Sequence, residues 1–111
     1  MKLKAIFRTF RGDTEATALF PEVLFDHSGH CMCYARVGQH GAADYEGCIE
    51  RSRPSTPEQT ARLKAELESL GYEIEVHARA TRAMHIARWD ELAKTLQELR
   101  ARVPGLPRRV L

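Results

Sequence analysis

The sequence has no apolar run near the roughly 18 residues that a membrane-spanning helix needs. Its three cysteines, few and odd in number, exclude a disulfide-stapled secreted scaffold. Lys2 and Lys4 are followed too soon by Arg8 and Arg11 for a signal-peptide core. These absences predict a cytoplasmic protein in reducing surroundings, with no membrane partner. Aromatic residues are scarce at 7%, so the core must draw on aliphatic and small side chains within a hydrophobic content of 43%. Charge of one sign is lacking too. Seventeen Lys plus Arg against fifteen Asp plus Glu leave a formal +2, too balanced for a protein whose main work is neutralising phosphates. There is no glycine-rich phosphate loop ending in Lys-Ser/Thr, no His-Glu-x-x-His, no Cys-x2-Cys knuckle and no nucleophile elbow, which points away from an enzyme. Without repeats or low-complexity tracts, 111 residues make one domain, expected over 1–103, with 104–111 as a short basic tail.

What is present reads as strands first and helices later. Residues 2–10 alternate in period two, and Ala16 to Phe20 return apolar after a turn at Gly12, the pattern of a hairpin that Pro21 ends or places on an edge. Cys31 to Val37 read as a third strand, with Cys31, Cys33, Ala35 and Val37 on one face and Met32, Tyr34 and Arg36 on the other. Gly38 to Asp44 are small and polar and read as the main loop. Tyr45 to Arg53 fit a short helix or a bent strand equally well. Thr56-Pro57-Glu58-Gln59 carries a capping-box signature for a helix running to Leu70, striped by Leu63, Leu67 and Leu70 and stopped by Gly71. Tyr72 to Arg79 alternate as a strand. A second helix follows from Thr81 to Arg102, with Trp89, Leu92, Leu96, Leu99 and Val103 as its seam and Trp89 as a core anchor. The expected fold is α+β: a small, mainly antiparallel sheet of about four strands in β-β-β-α-β-α order, with two amphipathic helices packed on one face.

Three constellations carry candidate chemistry. His27, His30, Cys31, Cys33, His40 and Cys48 supply the imidazoles and thiols that zinc takes, with His30, Cys31, Cys33 and His40 as the candidate ligand set. Against zinc as a cofactor, Cys31 and Cys33 share a small apolar face where free cysteine serves as a hydrophobe. Cys33, His40 and Asp44 can also be written as a thiol, base and orienting group. A sheet face bearing Arg8, Tyr34 and Arg36 has the residue types for stacking and phosphate contact with nucleic acid, although Glu73 and Glu75 on the same face would repel phosphate. The best remaining case is a protein partner met by the loop residues Gln39, His40 and Asp44, with Tyr45. The leucine seam of the helix at 81–103 offers a homodimer contact, set against its ordinary use as core.

Four stretches have a family likeness. Leu19-Phe20-Pro21-Glu22, the run from Tyr34 through Gly38-Gln39-His40-Gly41 to Asp44-Tyr45, Arg53-Pro54-Ser55-Thr56-Pro57-Glu58 and Glu66-Leu67-Glu68-Ser69-Leu70-Gly71-Tyr72 together resemble a group of small uncharacterised bacterial proteins of phage, plasmid or integrated-element context. The likeness covers residues 3–79 and brings no activity with it. It implies that Gln39, His40, Asp44 and Tyr45 belong to a characteristic segment, that the three cysteines do not, and that the second helix and the tail are peculiar to this chain and its near relatives. The expectation is a small non-catalytic binding or accessory protein, a regulatory or interaction protein of a mobile element acting through the Gln39-His40-Asp44 loop. A nucleic-acid module and a zinc- or thiol-dependent protein are the alternatives.

Overall fold

The period-two pattern at the start of the chain becomes strand β1, Lys2–Phe10, in a computed structural model that describes residues 2–36 and 38–102. Both faces of β1 are apolar. Leu3, Ala5 and Phe7 pack into one core cluster, while Ile6 and Phe10 pack into another. A strand buried on two faces needs cover on both, and that requirement sets the architecture. β2, Thr17–Leu24, and β3, Cys31–Ala35, follow antiparallel, and β4, Gln39–Ala43, pairs with β3. Then come helix α1 at Tyr45–Glu50, β5 at Ser52–Pro54, α2 at Pro57–Ser69, β6 at Glu73–His77 and α3 at Arg82–Arg102. The sheet order is β4-β3-β2-β1-β5, with β6 parallel to β1 along the same edge as β5.

The α+β class and the mainly antiparallel sheet hold, with six strands where about four are expected. The two helices expected on one face instead divide between the two faces, because β1 is apolar on both and needs cover on each. Leu63 and Leu67 of α2 pack with Ala5, Phe7, Phe20 and Tyr34, whereas Tyr45 and Cys48 of α1 and Met84 of α3 pack with Ile6, Leu19 and Cys31. Gly38 to Asp44 is not a loop. Its small side chains give little to pack, but the backbone ladder with β3 carries the segment, and Gly38 makes the turn at φ +77°. The open question at 45–53 resolves as helix and then strand. Pro21 neither ends β2 nor sits at an edge: it lies beside a register shift between Phe20 and Leu24, where a bulge relieves the ladder of its missing donor. Val37, Val103 and the expected tail at 104–111 lie outside the described residues.

The expected capping box forms in full. Gln59 N–H donates to Thr56 Oγ1 at 3.1 Å and Thr56 N–H donates to Gln59 Oε1 at 2.9 Å, a device worth about 1 kcal/mol. Gln59 also donates to Thr14 O and accepts from the buried Thr9 hydroxyl, so the helix start is tied to β1 and the first turn. On α3 the buried stripe is Met84, Arg88, Leu92 and Leu96. Trp89 is 53% exposed, and Arg88 occupies the core position with 6% exposure. The expected placement of Trp89 as a core anchor is therefore inverted. Leu92 and Leu96 are buried within the chain, on a helix that lies against β2. No described helix is long and apolar enough to cross a membrane.

Candidate functional site

β5 and β6 lie end to end along one edge of β1: Pro54 faces Arg8, and His77 faces Ile6. From that meeting point the chain leaves β5 for α2 on one face and leaves β6 for α3 on the other. Diverging connections leave a crevice beyond the carboxyl end of β6. The crevice has a volume of about 760 Å³ and is lined by Arg8, Tyr45, Glu46, Ile49, residues 78–80, Arg82, His85 and Trp89, within the size range of small-molecule sites.

Its aromatic wall is built in sequence. Tyr45 meets His85 edge-on at 4.9 Å between ring centroids, and His85 stacks on Trp89 at 6.0 Å with 25° between planes. Tyr45 is fixed by its hydroxyl, which accepts from Ala80 N–H at 2.8 Å. Arg88, behind this wall, donates to Gly29 O at 2.9 Å, to Pro21 O, and to His85 Nδ1 at 3.1 Å. An arginine has no acceptor, so Nδ1 must accept and the neutral ring carries its proton on Nε2. Burial, and then the charge of Arg88, hold His85 below the usual imidazole value, so the neutral form prevails at neutral pH.

The charged lining is one-sided. Arg8 is half-buried and held by three hydrogen bonds: Nε to Ser52 Oγ at 2.9 Å, and Nη2 to Ile49 O at 3.2 Å and Ser52 O at 2.8 Å. These acceptors come from the end of α1 and from β5, and none is a carboxylate. Arg79 and Arg82 are exposed and form no ion pair among the described residues. Glu46 is the one carboxylate in the lining.

The residues expected to form a contact loop do not share a surface. Alternation along β4 sends Gln39 and His40 to opposite faces. His40 lies edge-on to Tyr34 at 4.8 Å and within 3.1 Å of the Tyr72 hydroxyl. Tyr34 is 1% exposed and donates to Glu66, and burial with that bond pushes its hydroxyl pKa up. Asp44 is the N-cap position of α1, without a side-chain cap bond, and Tyr45 belongs to the crevice wall. The nucleic-acid set is dispersed as well. Arg8 faces α1, Tyr34 is buried beneath α2, and Arg36 pairs with Glu15 at 3.1 Å, so the three do not form one stacking surface.

The zinc and thiol arrangements are not assembled. Cys33 pairs with Gly41 and Tyr34 pairs with His40 across the hairpin, so alternation puts His40 on the face opposite the thiols. His30 is bonded to Asp26 at 2.8 Å. Cys31 donates to Ala43 O, and burial lifts its thiol to about 11; burial raises Cys33 and Cys48 as well. Among the described residues no group of three His, Cys, Asp or Glu is placed to hold a metal ion.

Sequence reasoning missed Arg79, Arg82, His85 and Trp89 as site residues. A signal was there: Arg82, His85 and Trp89, spaced by three and four, form a basic and aromatic stripe beside the buried one. Comparison with protein-family models, curated proteins and solved structures found no match.

Proposed function

We propose that this chain is a small non-catalytic binding protein that takes a small-molecule ligand into the crevice between α1, β6 and α3. One observation carries the reading: Trp89, the only tryptophan, stands 53% exposed on His85 at the mouth of an aromatic cavity. An indole is costly to leave half in water, and an apolar pocket with a few convergent polar groups is the usual form of a ligand site. Nothing in the lining pairs a nucleophile with a base, which supports binding over catalysis. The resemblance to mobile-element proteins supports an accessory role, although Arg82, His85 and Trp89 lie beyond its reach.

The test is amide chemical-shift mapping with a small-ligand library. Binders should move the signals of Tyr45, Glu46, Ile49, His85 and the Trp89 indole together. Hits that move β4 instead would overturn the reading. A second reading is a protein partner added as a strand along β4, favoured because β4 ends the sheet order and Gln39, His40 and Ala42 are exposed. His40→Ala and Gln39→Ala would weaken that contact and leave crevice binding unchanged.

A further inference from the structure

The polar side chains of the crevice are nearly all donors. Arg8 uses Nε and Nη2 on the protein, which leaves both protons of Nη1 without a partner among the described residues. His85 accepts at Nδ1, so Nε2 offers an N–H with no described partner. The Tyr45 hydroxyl accepts from Ala80 N–H and keeps its own proton to give. Arg79 and Arg82 add two more guanidinium groups at the rim. Opposed to these stands a single exposed carboxylate side chain, Glu46. A half-buried guanidinium that forms no ion pair among the described residues is open to a counter-charge. In the same lining Trp89 stacks on His85 and is 53% exposed, and exposed π-faces prefer flat partners.

We infer that the ligand of this crevice is a planar aromatic anion, its ring lying on Trp89 and its carboxylate or phosphate bonded by Arg8 Nη1 and His85 Nε2–H, with Arg79 and Arg82 closing over the charge. The inference rests on the crevice being the binding site. Arg8 is fixed in advance by its bonds to Ser52 and Ile49, so little order is lost when the anion arrives. Glu46 disfavours ligands that carry negative charge at both ends, which selects a molecule with one charged group and one neutral, flat end.

Four probes test it on the full chain: adenosine 5′-monophosphate and 2-naphthoate as ring-bearing anions, adenosine as a ring without charge, and inorganic phosphate as charge without a ring. Calorimetry and amide-shift mapping are read together. The expected result is binding of at least one ring-bearing anion about tenfold tighter than adenosine or phosphate, with shifts at Tyr45, His85 and Trp89. Preference for the nucleotide over naphthoate identifies a phosphate-bearing ring, and the reverse identifies an aromatic carboxylate. Arg79→Gln with Arg82→Gln, both exposed, should fold normally and weaken the anion about tenfold while leaving adenosine unchanged. Equal binding of adenosine and the anions, with shifts in the crevice, overturns the ligand class and leaves the binding site standing. No crevice shift with any probe overturns both.

Discussion

Arg88 Nη1 lies 3.1 Å from Nδ1 of His85, one turn away on α3, and the same guanidinium reaches carbonyls at Pro21 and Gly29. One buried charge therefore orients the crevice imidazole and ties α3 to both the bulge in β2 and the turn before β3. Replacing it with a side chain of similar bulk, Arg88→Met, strands two carbonyls and removes the partner of His85. Denaturant titration should show a loss of about 3 kcal/mol, and imidazole NMR should show the His85 pKa rising towards its ordinary value. A loss below about 1 kcal/mol would mean that water replaces the guanidinium and that the tie is dispensable.

His85 also makes stability depend on pH in a defined window. Burial first, and Arg88 second, lower its pKa from the ordinary 6.5, with Glu46 opposing them. The unfolded chain therefore takes up the proton before the folded one does, so stability from this group is complete above pH 6.5 and declines as the pH falls below it towards the folded value. Asp26 and Glu75, lowered by their bonds to His30 and His77, begin to cost stability only as the pH falls below their ordinary 3.8 and 4.5. Between these windows His85→Gln, whose amide oxygen can still accept from Arg88, should flatten the fall in midpoint from pH 6.5 to 5. An unchanged slope would assign it to another group.

Two glycines with positive φ separate backbone strain from crowding. Gly12 has φ +85° and open space where a Cβ would stand, whereas Gly29 has φ +88° and a Cβ there would come within 3.2 Å of Leu92 Cδ2. Gly12→Ala should cost about 1 kcal/mol. Gly29→Ala should cost about 2 kcal/mol, because it adds contact with a core leucine and disturbs the carbonyl that Arg88 holds. Equal losses would show that Leu92 yields freely and that α3 is loosely seated.

What the sequence makes legible is what is local. The Thr56 to Gln59 box is visible because both partners sit within one helical turn, whereas the alternation from Glu73 to His77 marks the strand but not its burial: Ile74 is buried while Val76, on the same face, is 47% exposed. Pairing is not local: nothing in β6 itself says that it runs parallel to β1, so Glu73 and Glu75 meet Lys2 and Lys4 in register. Hydropathy misleads at one pair of neighbours. Reading Trp as inside and Arg as outside reverses Arg88 and Trp89, because the guanidinium finds carbonyls in the core while the indole serves the crevice. The crevice joins Arg8, the segment from Tyr45 to Ile49 and the stretch from Ala78 to Trp89, residues far apart in the chain that only the meeting of β5 and β6 brings together.

The thiols give a last and independent test of the non-catalytic reading. A nucleophilic cysteine needs a depressed pKa and access, yet burial lifts Cys31 to about 11 and raises Cys33 and Cys48 too, against weaker opposing effects of Arg88 and Arg51. At pH 8 the Cys31 thiolate is then about one part in a thousand of the total. Iodoacetamide should label the native protein far more slowly than the urea-unfolded chain, with Cys31 slowest by peptide mass spectrometry. Because all three thiols are protonated for the same physical reason, mild unfolding should release them together with loss of the β3 and α1 packing that buries them. Native Cys31 reacting at the unfolded rate would show a thiolate that this packing does not permit, and would return the cysteines to the list of chemically active groups.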